Sequence, residues 1–332
     1  MPVLVERCAG ERDVVCGGFL GWDALVALKR LGLDPAALGA RPIHRLRLVA
    51  GRRCVETALP HAAAGLSRRR LDAVLLRMAE EAGVSVLRGR AARALDGDRI
   101  RLDDGEEMAA DALFLATGKH ELRGAARETG ALTPAVGLRT ALAPSPSLAA
   151  ALAGTIELHL FDEGYAGLLL QEDGDINLCL SVSRRRLAGA GGPEALAAEL
   201  MAEAPRLADR IGGTPPADWE AVAGVPYGWR ARATQPGLYR IGDQAAVIAS
   251  LVGDGIAIAL TSGMAAARCR LAGGRGAAAA FQRDLARRSA RPIRIAETLR
   301  HMAEHRAERR LMMRLAGMPG LARLAARLTR IA

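Results

Sequence analysis

The sequence predicts an α/β protein, with an incomplete parallel-sheet domain, an inserted antiparallel-sheet α+β domain and a C-terminal helical region. Three observations predict it. A short apolar run ending in an acid at Pro2–Glu6, a fully apolar run at Ala112–Ala116 and the short run Leu238–Ile241 read as buried strands. Between the second and third of these, Thr155–Phe161, Gly167–Leu170 and Ile176–Val182 alternate as antiparallel strands do. Beyond them Gly255–Arg270 is an apolar helix, and the tail from Ala277 is helical and basic.

Taken in order, Pro2–Glu6 is a strand that ends in an acid, as a strand does at the edge of a ligand site. Asp23–Leu31 is a short amphipathic helix stopped by Gly32 and Pro35, and Ile43–Thr57 alternates as a hairpin over a substrate would. Ser67 is an N-cap for a helix whose Leu71, Val74, Leu75 and Met78 share a face, and Gly83 ends it. Val84–Leu87 follows as a strand. Ala91–Leu95 and Arg99–Asp103 form a hairpin through Asp96-Gly97-Asp98. In the tail, Pro292 and Gly317–Gly320 are expected to interrupt the helix. The parallel-sheet domain is therefore assigned to residues 1–35, 62–124 and 237–272, the inserted domain to 36–61 and 125–236, and the helical region to 273–332.

Half of the 332 residues are hydrophobic and a quarter charged, enough for a packed core. Aromatic residues make up only 3 %, which argues against a base-stacking surface. The net charge of +10 is spread along the chain as scattered arginines, without a nucleic-acid-binding motif. Five cysteines without CxxC spacing exclude a disulfide framework and structural zinc, and no metal site is expected. There is no signal peptide pattern and no run of roughly 18 apolar residues, so a reducing cytoplasm is the expected location.

Three segments carry a resemblance. They are Val15-Cys16-Gly17-Gly18-Phe19-Leu20, then Ala116-Thr117-Gly118-Lys119-His120, then Ile241-Gly242-Asp243-Gln244 followed by Gly253-Asp254-Gly255-Ile256. With the Ser67-Arg68 helix start and a Gly164-Tyr165-Ala166-Gly167 loop, they resemble, in order and spacing, the FAD-dependent oxidoreductases of the geranylgeranyl-reductase and para-hydroxybenzoate-hydroxylase superfamily, over about Val3 to Leu271. The resemblance implies a Rossmann-like FAD-binding domain. It implies FAD contacts at Glu6, Arg7, Cys16, Gly17, Arg68, Ala116, Thr117, Gly118, Gly242, Asp243, Gly253, Asp254, Gly255 and Ile256. It puts Cys16 beside substrate and flavin as the catalytic candidate; the bare sequence equally allows a small buried hydrophobe. Phe19, Tyr165, Tyr227 and Trp229 are the substrate-lining candidates, the last three expected in loops, while His120 and His159 have no acid partner in sequence.

The residue chemistry agrees with this reading. A strand-end acid at Glu6 accepts hydrogen bonds from ribose hydroxyls. A Gly242-Asp243 strand end lets backbone approach a ribityl chain, and the Gly253-Asp254-Gly255 turn opens a long helix whose free N–H groups favour the electron-rich edge of a reduced flavin. One departure stands out. The family places a Gly-x-Gly-x-x-Gly turn about 25 residues ahead of the acid, whereas five residues precede Glu6 here. The expectation is a missing first strand, through a late gene start or a real loss, and weak flavin binding by the chain as it stands.

Three functions are in contention. The first is a flavin reductase acting on a C=C bond of a polyprenyl or lipid substrate, with NAD(P)H or another reductant. The second is an aromatic or polyketide monooxygenase, and the third a non-catalytic relic. Leu321, Leu324, Leu328 and Ile331 share a helix face that either packs on the protein or lies on an anionic membrane.

Overall fold

The computed structural model describes residues 1–130 and 132–331. The first third of the chain contains β1 (Val3–Glu6), β2 (Phe19–Leu20), α1 (Trp22–Arg30), β3 (Arg41–Ala50), β4 (Arg53–Gly65), α2 (Arg68–Glu81) and β5 (Ser85–Arg88). Then come β6 (Ala92–Asp96), β7 (Arg99–Leu102), β8 (Glu107–Ala109), β9 (Leu113–Leu115) and β10 (Ala135–Leu142). The middle holds α3 (Pro146–Leu152), β11 (Thr155–Phe161), β12 (Gly164–Leu170), β13 (Ile176–Ser183), α4 (Arg184–Ala190), α5 (Pro193–Glu203), α6 (Pro205–Ile211) and β14 (Glu220–Val225). After β15 (Leu238–Arg240) the chain is helical, in α7 (Gly255–Gly273), α8 (Ala277–Glu304), α9 (Arg306–Ala316) and α10 (Leu321–Leu328).

The parallel strands stand in two pairs, β1 with β5 and β9 with β15. The small β6–β7–β8 meander is separate; its third strand, Glu107–Ala109, is too short and too mixed in polarity to be read from the sequence. The large sheet has eight strands in the order β14-β10-β13-β12-β11-β3-β4-β2, antiparallel except where β11 runs beside β3. Its principal core packs Leu138, Leu168, Ile176 and Leu178 of the strands against Leu196, Leu200 and Leu207 of α5 and α6. On the same sheet Glu157 is fully buried and ionised. It meets Arg47 at 2.6 Å, Arg210 at 2.8 Å and His159 at 2.7 Å, so the histidine has its acid two residues away, on its own strand.

Ser67 caps α2, accepting from the backbone of Arg70, and Leu71 and Val74 bury its apolar face. The Gly164–Gly167 stretch is strand β12, not a loop, and Tyr165 sits on it. A Cβ at Gly164 would lie 2.5 Å from the Ser181 carbonyl oxygen and 2.6 Å from the Phe161 ring, so this glycine serves close strand packing; the turn is made by Asp162–Glu163, with Glu163 at φ 64°. The Ile43–Thr57 hairpin is longer than expected, Arg41 to Gly65, with a register shift between Ile43 and Arg45. Helix α8 runs unbroken through Pro292, because buried Ser289, Ile293 and Ala296 hold it across the missing N–H. Among the described residues no helix is long and apolar enough to cross a membrane.

Candidate active site

Because β9 and β15 are parallel neighbours, their C-terminal ends open onto the same edge. The turn after β9, Thr117–His120, and the turn after β15, Gly242–Gln244, are bolted together there. Gln244 Nε2 donates to the carbonyls of Gly118 (3.0 Å) and His120 (2.9 Å), and Thr117 Oγ1 donates to His120 (2.7 Å). Gly242 has φ 56° and donates its N–H to Ser262 Oγ of α7 at 2.9 Å. A side chain here would be strained and would press on Ala259. Asp243 faces Lys119 at 3.6 Å. Burial works against the charge of Lys119, but Asp243 more than offsets it and raises its pKa, with Cys16 and Tyr227 adding to the effect.

Helix α7 begins one turn away. Gly253 turns the chain at φ 69°, with the Phe19 ring 2.6 Å from where a Cβ would stand. Asp254 occupies the N-cap position but makes no side-chain cap, so the first N–H groups of α7 keep no carboxylate partner. Across from it, Asn177 of β13 donates to the carbonyls of Cys16 (3.0 Å) and Gly17 (2.9 Å), fixing the loop before β2. Arg68, at the start of α2, lies against both Asp72 and the Cys16 thiol. Burial pushes the Cys179 thiol up to about 12, with Cys16 nearby adding to the shift. At the end of β1, Glu6 accepts from Cys8 N–H at 2.8 Å. The His120 pKa is lowered by burial and by the cation of Arg7, which ties the β1 end to the Thr117–His120 turn.

Gly17, Gly118 and Gly255 each face open space on the side where a Cβ would stand. These glycines, the uncapped start of α7, Lys119 and the carboxylates of Glu6 and Asp243 include the kinds of group that a flavin nucleotide takes. Amides and cations suit phosphate and the flavin pyrimidine edge, and carboxylates suit ribose and ribityl hydroxyls. The residues present fit the flavin, ribityl and ribose parts of FAD, and the Gly-x-Gly-x-x-Gly turn for its pyrophosphate is not among them.

Next to Cys16 and Gly17 a cavity of about 390 Å³ runs between the large sheet and helices α8 to α10. Its walls are Leu46, Leu48 and Leu59 of the β3–β4 hairpin, Ile156 and Leu158 of β11, Leu299 and Met302 of α8, and Leu321, Leu324 and Leu328 of α10. Tyr165, Phe19, Cys179 and Ser250 also face it. The Tyr165 hydroxyl contacts Ser250, which contacts Tyr227 at 2.6 Å, and Ser181 donates to Tyr227 at 3.2 Å. This is a chain of four hydroxyls ending on the cavity wall. Trp229 stands apart, its indole N–H given to the Glu128 carbonyl at 3.1 Å.

No protein-family model matches the sequence, and no curated protein matches it. Solved structures do. The chain superposes on the flavin-dependent brominase Bmp2 with a TM-score of 0.77 at 16% identity, covering 98% of this chain and 86% of that one. A geranylgeranyl bacteriochlorophyll reductase-like protein from Thermoplasma acidophilum gives 0.76 at 16% identity, over 98% and 88%. PqsL, a probable FAD-dependent monooxygenase from Pseudomonas aeruginosa, gives 0.66 at 17% identity, over 92% and 90%. The fold is that of the FAD-dependent oxidoreductases.

On this flavoenzyme fold Thr117, Gly118, Gly242 and Asp243 fall in one joined pair of turns, with Ala116 leading into them, and Gly253–Ile256 at the adjoining start of α7. Cys16 lies against Arg68 and its carbonyl is held by Asn177, and Arg7 lies near His120. Phe19 and Tyr165 line the cavity, whereas Tyr227 reaches it through Ser250 and Trp229 does not line it. Sequence reasoning missed Asn177 and Ser250, which match no motif.

Proposed function

We propose that this protein is an FAD-dependent oxidoreductase that acts on a small, largely aliphatic molecule held in the 390 Å³ cavity. The observation that carries this is an adjacency: Gly17 lines the apolar cavity, while Cys16 before it lies against Arg68 and close to Lys119 of the Thr117–His120 turn. Bound there, FAD would supply hydride for reduction of a C=C bond, with NAD(P)H or another reductant as electron source. The walls favour this reading, since Leu, Ile, Met and Ala side chains offer an aliphatic chain contact along its length and exclude water. Gly118, Gly242, Lys119 and the α7 terminus would hold the flavin, with Glu6 on the ribose. Cys16 and Phe19 would face the reacting carbon, and Tyr165 would orient a polar end group.

The second reading is monooxygenation of an aromatic or polyketide compound, favoured by the fold shared with PqsL, one structure of which is a complex with 2-aminobenzoylacetate. Leu315 and Leu324 are partly exposed at the edge of the cavity, beside exposed Arg314, Arg323 and Arg327. This supports delivery of an apolar substrate from an anionic membrane surface.

The test is to add FAD to the purified chain, follow flavin fluorescence, then supply NADPH with and without oxygen and with prenyl or aromatic compounds. Weak but saturable FAD binding with oxygen-independent loss of a prenyl double bond is the expected result. Oxygen consumption coupled to an aromatic substrate selects the second reading, and failure to bind flavin at any concentration selects a non-catalytic relic.

A further inference from the structure

Aspartate is among the best N-cap residues, yet Asp254 at the head of α7 has φ −106° and ψ 1°, away from the extended backbone of a capping residue, and its side chain makes no cap. Its carboxylate is taken from elsewhere. Arg330, just beyond α10, donates Nη1 to Asp254 Oδ1 at 2.8 Å and Nη2 to the Val252 carbonyl at 3.2 Å, and the Ile331 N–H reaches Oδ2 at 3.3 Å. The guanidinium also stacks 4.2 Å above the Trp22 ring. Both side chains are sealed from water, Arg330 at 9% exposure and Asp254 at 1%. Arg330 is anchored to the same helix, α10, that forms one wall of the apolar cavity, and α10 is joined to α9 through Gly317-Met318-Pro319-Gly320, with Gly320 at φ 83°.

We propose that Arg330 is a positioning residue: with α10 closed over the cavity it draws the Asp254 carboxylate off the N-terminus of α7, leaving those N–H groups free for the flavin. When α10 swings out on its glycine joint, Arg330 leaves and Asp254 turns to cap α7. A carboxylate then stands where the electron-rich flavin edge would lie, and like charges repel. Closure of the cavity and readiness of the flavin site become one event. The inference rests on the flavin reading above, but its central contact does not require flavin to be observed.

The test uses the full chain and compares wild type, Arg330→Gln, Arg330→Lys, Asp254→Ala and the Arg330→Gln/Asp254→Ala double variant. Amide hydrogen exchange without flavin reads α10 and the first turn of α7, and FAD titration reads affinity. In Arg330→Gln, exchange across 321–330 should rise at least tenfold, the first-turn amides of α7 should become more protected, and FAD should bind at least tenfold more weakly. Arg330→Lys should restore part of each. The double variant should keep the open α10 yet regain FAD affinity, because alanine cannot cap. Overturning results are unchanged exchange at both sites in Arg330→Gln, or a double variant no better at binding FAD than the single one. If wild type binds no FAD, the functional reading fails while the two exchange signatures still decide the latch.

Discussion

Glu157 in the large sheet and Asp254 at the head of α7 are both buried carboxylates paired with arginine, yet their surroundings drive them in opposite directions. Burial alone would raise either pKa. Around Glu157 this is overcome by hydrogen bonds from His159, Arg210 and Arg47, which hold its carboxyl well below the usual carboxylate range. Around Asp254 burial wins. One arginine and one backbone N–H do not offset it, Asp23 adds a like charge, and the pKa is pushed up to about 6. The sheet region is built to keep its charge, whereas the head of α7 holds a charge close to release.

The largest expected effect comes from breaking the first arrangement. Glu157→Gln leaves Arg210 without a counter-charge and Arg47 with Glu56 alone, and should destabilise the protein by about 3–5 kcal/mol in urea unfolding; a loss below 1 kcal/mol would mean that the sheet is no better prepared than α7. The pH dependence sharpens the contrast. Asp254 takes up its proton in the folded state at about 6 but near 3.8 when unfolded, so its contribution to stability is fully present below 3.8 and lost as pH rises through 6. That amounts to about 3 kcal/mol across the interval. Glu157 has the opposite sign: its contribution is in place above the ordinary 4.5 and is lost as pH falls further. Asp254→Asn should therefore flatten the stability slope between pH 6 and 4 while sparing the acid-side fall, and Glu157→Gln should do the reverse, both read from unfolding midpoints across pH.

Smaller effects test the turns. Gly253→Ala places a methyl at φ 69° against Phe19 and should cost about 1–3 kcal/mol, with weakened FAD binding as the more sensitive measure. Ser67→Ala removes an N-cap hydroxyl and should lower stability by about 1 kcal/mol in the same urea titration without changing the slope with pH.

The fold class was legible because its signals are local: apolar runs for β1, β9 and β15, alternation for β11 and β13, and the Ser67 cap for α2. The glycine turns at 242 and 253 were legible because positive φ restricts the residue type. What escaped are pairings between distant segments. Arg330 meets Asp254 across 76 positions of sequence and Asn177 meets Cys16 across 161, and neither residue differs in kind from its neighbours. Gly164 was misread for a related reason, since close strand contact and a turn both ask for glycine, and only the partner strand tells them apart.

Helix α8, 28 residues long and so about 42 Å from end to end, packs against β15 and α7 near one end and against β11 and β12 further along. A single rod packed on both α7 with β15 and the broad sheet works as a tie-beam between them. The rest of the cavity wall, from Met312 to Arg330, is left to α9, α10 and the short Gly317–Gly320 joint between them.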